Sequence, residues 1–139
     1  MFWDTSALIR SYDPNEPGHE RARNFLLSQT AHTASAFIVP EIVSAVVRKL
    51  GRDKRNREAL LQTIDEHLAF FNLSAIDERH LEESTRLVKR YSLRAADALH
   101  VASALILRKS MTTRSFPFLT ADAEQAEAAR AEKLKVFEL

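Results

Sequence analysis

Residues 1–6 read Met-Phe-Trp-Asp-Thr-Ser, three apolar side chains followed by three polar ones. The abrupt change predicts a short buried strand that ends at Asp4, because a β-compatible apolar run bounded by polar residues suits a strand covered on both faces. Four later stretches have the same character: "AHTASAF" from Ala31, "FFNLSAI" over 70–76, "FPFLTAD" over 116–122 and "KLKVFEL" over 133–139.

Helical patterns separate these stretches. Ala22, Phe25 and Leu26 lie at i, i+3, i+4 within His19 to Leu27. A helix from Val39 to Leu50 has Pro40 in its opening turn, where a missing N–H costs nothing. Gly51 closes it, and Ala59, Leu60, Ile64 and Leu68 define another helix over Asn56 to Leu68. Asp77 caps a helix running to Tyr91. The segment 95–109, "AADALHVASALILRK", is the most apolar helix and is expected to pack centrally, and a short alanine-rich helix precedes the last strand. Parallel strands need crossover connections, so strands alternating with helices predict a three-layer α/β/α sandwich around a mainly parallel sheet of about five strands.

The chain has 139 residues, a length that suits one domain over residues 1–139. Twenty Lys and Arg against nineteen Asp and Glu give a net charge of +1. The two glycines, Gly18 and Gly51, cannot build a Walker loop or a dinucleotide-binding turn, which excludes the usual routes to ATP, GTP and NAD chemistry. Without cysteine there is no disulfide, no thiolate metal site and no cysteine nucleophile. No stretch approaches the roughly 18 apolar residues of a membrane span, and Asp4 stands where a signal peptide has an apolar run. A cytoplasmic protein with no membrane partner is expected.

In open parallel sheets, ligands bind beyond the C-terminal ends of the strands. Asp4 and Asp122 fall at such ends, and Glu41 and Asp97 fall early in helices that start from the same rim. Each acid has a local explanation to set beside a chemical one. Asp97 and Glu41 suit the positive end of a helix dipole. Asp122 opens a capping-box pattern with Gln125. Asp4 is the least explained locally, since an acid after a buried strand adds nothing to the core. Four carboxylates in one cleft would repel each other and hold protons unless a cation neutralised them. Mg²⁺ or Mn²⁺ suits oxygen ligands, and such ions activate water for attack on a phosphodiester.

"FWDTSALIR" (2–10), "VPEIVSAVVRKL" (39–50), "AADALHVASAL" (95–105) and "FLTAD" (118–122), in that order, resemble the PIN-domain nucleases, most closely the VapC toxins of toxin–antitoxin pairs. The resemblance covers essentially the whole chain and places the family's acidic tetrad on Asp4, Glu41, Asp97 and Asp122. Thr5 or Ser6, and Thr120, match its supporting hydroxyls. It implies an Mg²⁺- or Mn²⁺-dependent endoribonuclease in which Asp4 and Asp97 hold the principal ion directly. Glu41 and Asp122 would bind it through water or place a second ion. It also implies an RNA substrate, a homodimer and a VapB-like antitoxin whose tail enters the acidic cleft. Two alternatives remain open: a PIN nuclease for RNA maturation without an antitoxin, and a catalytically silent module that binds RNA or protein.

The stretch 48–57, "RKLGRDKRNR", carries Arg48, Lys49, Arg52, Lys54, Arg55 and Arg57 against one acid, Asp53. It is either a basic face for RNA phosphates or a solvated helix edge. Arg94 either meets substrate phosphate or pairs with a carboxylate of the rim. His100, among alanines and leucines, reads as a packed core residue rather than a metal ligand. His19, His32, His67 and His80 form no zinc spacing, and no Gly-x-Ser-x-Gly elbow exists. Phe70 and Phe71 lie in an apolar strand segment, where core packing is a better expectation than stacking on bases.

Overall fold

The computed structural model describes residues 1–28, 30–111 and 116–139. In chain order the elements are β1 (Phe2–Trp3), α1 (Thr5–Arg10), α2 (His19–Leu26), β2 (His32–Ser35), α3 (Ile38–Leu50) and α4 (Lys54–Leu68). There follow β3 (Phe71–Ser74), α5 (Glu78–Tyr91), α6 (Ala95–Ser110), β4 (Pro117–Thr120), α7 (Ala123–Ala131) and β5 (Lys135–Glu138). The five strands form one parallel sheet in the order β3-β2-β1-β4-β5.

The central strand contributes one large side chain to each face. Phe2 joins Phe118, Leu87, Val101, Leu105 and Ala128 and Ala129 of α7 on the α5–α6–α7 side. Trp3 joins Leu119, Leu8, Ile38, Ile42, Ile64 and Phe71 on the α1–α4 side. Both are completely buried, and side chains of this class contribute about 1.5–3 kcal/mol each when removed from water. The expected three layers therefore arise from the two-residue alternation of a strand only two residues long.

The topology also locates the rim where function belongs. From β1 the chain moves outward through β2 to β3, then crosses to the other side of β1 for β4 and β5. The strand order thus reverses between β1 and β4, and such a switch opens a crevice at the C-terminal edge. Asp4 and Asp122 follow those two strands.

Several sequence expectations need correction. The first strand ends at Trp3, because the Asp4 carboxylate accepts the Ser6 N–H at 2.9 Å and starts α1. Six residues are too few for a helical period to declare itself. Asp4 therefore has a local task after all, as a helix cap. Phe70 was expected in a packed strand, but it lies in the turn before β3 and is 81% exposed. Phe71, the first residue of β3, is the one that packs, tilted against Trp3 at 6.1 Å. The helix around Pro40 begins at Ile38, so the proline sits third in the opening turn, still without a lost intrahelical bond. Among the described residues no helix is long and apolar enough to cross a membrane.

Candidate active site

Asp4 anchors the rim. Its Oδ2 accepts from the Ser6 backbone N–H at 2.9 Å and from the Ser6 hydroxyl at 2.5 Å. Its Oδ1 accepts from the Gln125 amide at 2.9 Å. A carboxylate offers about four lone-pair directions, so these three donors orient Asp4 and leave room for one more partner. The side chain is almost fully buried, which makes its orientation rigid.

Glu41 and Asp97 stand in the first turns of α3 and α6. Glu41 Oε2 accepts from Thr5 Oγ1 and from His100 Nε2, each at 2.6 Å. Burial opposes ionisation of Glu41, but these donors and the charges of His100 and Arg48 outweigh it and hold the carboxyl below its usual range. Burial likewise disfavours the His100 imidazolium, yet the bond to Glu41 and the neighbouring charges of Asp4 and Asp97 raise its pKa. The cost is an Nδ1 atom buried without a partner among the described residues.

Asp97 receives no comparable help. Burial, followed by repulsion from Asp4, Asp122 and Glu41, pushes its pKa up to about 6, and Arg94 offsets this only weakly. Asp4, Asp122 and Glu41 therefore all lie within electrostatic reach of Asp97. Asp122 caps α7 by accepting the Gln125 N–H at 2.8 Å.

The supporting hydroxyls divide between tasks. Thr5 donates to Glu41, Ser6 to Asp4, and Thr120 to Gln125 Oε1 at 2.5 Å. Each hydroxyl has a single proton, so the longer 3.4 Å approach of Thr120 to Asp4 is a contact without a donor. Ser6 Oγ also accepts the Ala121 N–H at 2.8 Å, which joins the loop after β4 to the start of α1.

Two residues of this network escape a reading of the sequence. His100 is in the core, as its apolar neighbours imply, but its ring faces Glu41 and lies 4.0 Å from Asp4 Oδ1. The available signal was its position one turn after Asp97. Gln125 was read as the second half of a capping box, but its side chain turns inward to Asp4 instead of back to Asp122. A lone amide on an alanine helix was the signal.

The basic residues are more scattered. Lys49 is held by ion pairs with Asp13 and, at 2.9 Å, Glu16, and Arg57 donates to the Gly51 carbonyl at 3.1 Å. Asp53 caps α4 through the Asn56 N–H. Arg52, Lys54 and Arg55 are exposed and make no ion pair among the described residues, and neither does Arg94. An apolar cavity of about 240 Å³, lined by Ile9, Tyr12, Val46, Leu50, Leu60 and Ile64, includes none of the four acids in its wall.

The family model for the PIN domain matches residues 1–131. This chain belongs to the PIN-domain family. PIN domains are generally nucleases and typically use divalent metals. No curated protein sequence matches the chain, but solved PIN-like structures do. FitAcB from Neisseria gonorrhoeae is similar at 20% identity and TM-score 0.69, covering 99% of this chain and 96% of its own. VapBC2 from Rickettsia felis, bound to a DNA fragment from its promoter, is 11% identical with TM-score 0.67 and the same coverages, 99% and 96%. A toxin–antitoxin complex from Klebsiella pneumoniae is 20% identical with TM-score 0.61, over 89% of this chain and 88% of that one. At these identities the likeness establishes the five-stranded PIN fold.

The carboxylates of this PIN domain fit a hard divalent ion in chemistry: they are oxygen donors, and their mutual repulsion adds to burial in raising the Asp97 pKa. Among the described residues, no three or more His, Asp or Glu side chains are grouped so that together they could hold a metal ion. An ion that retains several waters requires only one or two direct carboxylates.

Proposed function

We propose that this PIN domain is an Mg²⁺- or Mn²⁺-dependent endoribonuclease and the toxin of a VapBC-type pair. The observation that carries the reading is the placement of Asp4 and Asp122 just beyond β1 and β4, where the strand order switches, with Gln125 joining Asp4 to the first turn of α6 that carries Asp97; repulsion from the other acids adds to burial in raising the Asp97 pKa. A binding module has no use for that repulsion, whereas a metal nuclease needs the charge.

In this reading Asp4 and Asp97 would hold the principal ion, and Glu41 and Asp122 would contact it through water or place a second. When bound, the metal supplies an activated water and charge stabilisation at the leaving oxygen of a phosphodiester. The chain's own contribution is positioning. Ser6 and Gln125 fix both oxygens of Asp4, while Thr5 and His100 hold Glu41 ionised. Arg94, Arg48 and the exposed Arg52, Lys54 and Arg55 supply positive charge for the RNA backbone, with Lys49 and Arg57 more peripheral because they are engaged within the protein.

The pairing with a VapB-like antitoxin and the homodimer are supported by the fold shared with toxin–antitoxin proteins and by the sequence motifs. The protein would act in the cytoplasm as a single PIN domain over residues 1–139. The decisive experiment is cleavage-site mapping on total RNA with Mg²⁺ or Mn²⁺, with Asp4→Asn and Asp97→Asn proteins as controls. Cleavage by wild type alone supports the nuclease; cleavage that persists in EDTA removes the metal mechanism. Growth arrest on expression, relieved by the product of an adjacent small gene, tests the toxin role.

A further inference from the structure

Gln125 is completely buried on a helix otherwise built of alanine and surface residues. Every polar group of its side chain is engaged. Nε2 donates to Asp4 Oδ1 at 2.9 Å and to the Asp97 backbone carbonyl at 3.2 Å, and Oε1 accepts the Thr120 hydroxyl at 2.5 Å. Its backbone N–H is capped by Asp122. One residue thus ties together the end of β1, the first turn of α6, the end of β4 and the cap of α7, the segments that carry three of the four acids.

The chemistry of an amide suits this place. A lysine or arginine would orient Asp4 equally well but would neutralise the crevice, and a hydroxyl is too short to span Asp4 and α6. Glutamine donates two protons without adding charge, so it aims Asp4 and leaves the negative field intact for a cation. Building it costs side-chain freedom, which is tolerable because the neighbouring alanines have none to lose.

We infer that Gln125 is a positioning residue of the acidic site: it sets the direction of Asp4 Oδ1 and the distance between Asp4 and the Asp97 turn. The inference rests on the metal-site reading above. Partners that orient a metal-binding carboxylate typically matter by about 10–100-fold in metal affinity.

The test is calorimetric titration of the full chain with Mn²⁺, without RNA, on wild type, Gln125→Met, Gln125→Asn and Ser103→Ala. Methionine keeps the volume and removes both donors; asparagine keeps the amide but falls short of one partner. Ser103 is a buried control whose hydroxyl bonds only to the Leu99 carbonyl among the described residues. Circular dichroism and thermal melts establish that each variant is folded. The expected result is a loss of Mn²⁺ affinity of about tenfold or more in Gln125→Met, a smaller loss in Gln125→Asn, and none in Ser103→Ala. Equal binding by wild type and folded Gln125→Met overturns the inference while leaving the metal site in place. No binding by wild type overturns both. If Gln125→Met does not fold, Gln125→Asn carries the test; if neither folds, Gln125 is structural only and the inference falls.

Discussion

His100 Nε2 donates to Glu41 Oε2 at 2.6 Å, joining the second turn of α6 to the opening turn of α3 across 59 positions of the chain. The ring is fully buried, and Glu41 is partly so. Removing one member of such a pair leaves the other without compensation, which costs about 3–5 kcal/mol. His100→Ala is therefore expected to destabilise the protein by that amount, and Glu41→Gln added to it should recover at least about 1 kcal/mol. A double-mutant cycle by urea unfolding measures this; strict additivity would show that the pair is not coupled.

Asp97 makes stability fall as pH rises. Its folded pKa of about 6 lies above the ordinary 3.8, so the folded state binds more protons between those values and pays an increasing penalty up to about pH 6. The full shift corresponds to about 3 kcal/mol, and partial solvent exposure reduces the expected effect to about 1–2 kcal/mol. Without metal, Asp97→Asn should melt at a higher temperature than wild type at pH 7.5, and at the same temperature near pH 4. A gain that does not depend on pH would contradict this account.

Metal binding should depend on that same proton. A cation favours ionised Asp97, so 1 mM Mn²⁺ should raise the melting temperature of wild type more at pH 7.5 than at pH 5.5. Asp97→Asn should respond little at either pH, and EDTA should reverse the wild-type gain. Equal shifts at both pH values would place the ion elsewhere.

Far from the acids, Arg86 bonds Glu83 and Glu132, each at 2.9 Å, and holds both carboxyls below their usual range. Depressed acids contribute stability above their unfolded pKa and lose it as pH falls through the folded value. Arg86→Met should cost about 1 kcal/mol at pH 7, a modest figure because the arginine side chain is 39% exposed. The difference from wild type should shrink as pH drops below about 4.5, the usual value for these groups. Melts across pH 3–7 check it.

Adjacent phenylalanines should behave oppositely. Phe71→Ala opens a void beside Trp3 and should cost about 3–4 kcal/mol, whereas Phe70→Ser should change stability by less than about 0.5 kcal/mol. Chemical denaturation of both variants decides.

The run "FFNLSAI" contains no information on which phenylalanine is inside, because that depends on where α4 ends and the ladder with β2 begins. The alternation of apolar strands and periodic helices did determine the parallel three-layer fold, since only crossover connections fit that order. The same reading found four acids, because carboxylates at strand ends and in opening helical turns stand out against apolar surroundings. It could not find Gln125 or the orientation of His100. Hydrogen bonds from Gln125 to Asp4 span 121 residues and those from His100 to Glu41 span 59, and no local spacing encodes a contact between elements on opposite sides of a sheet. Sequence alone thus determined the layers and the acids on their rim through periodicity and burial. Tertiary structure decided how those acids are aimed, because direction is set by donors that only the folded crevice brings together.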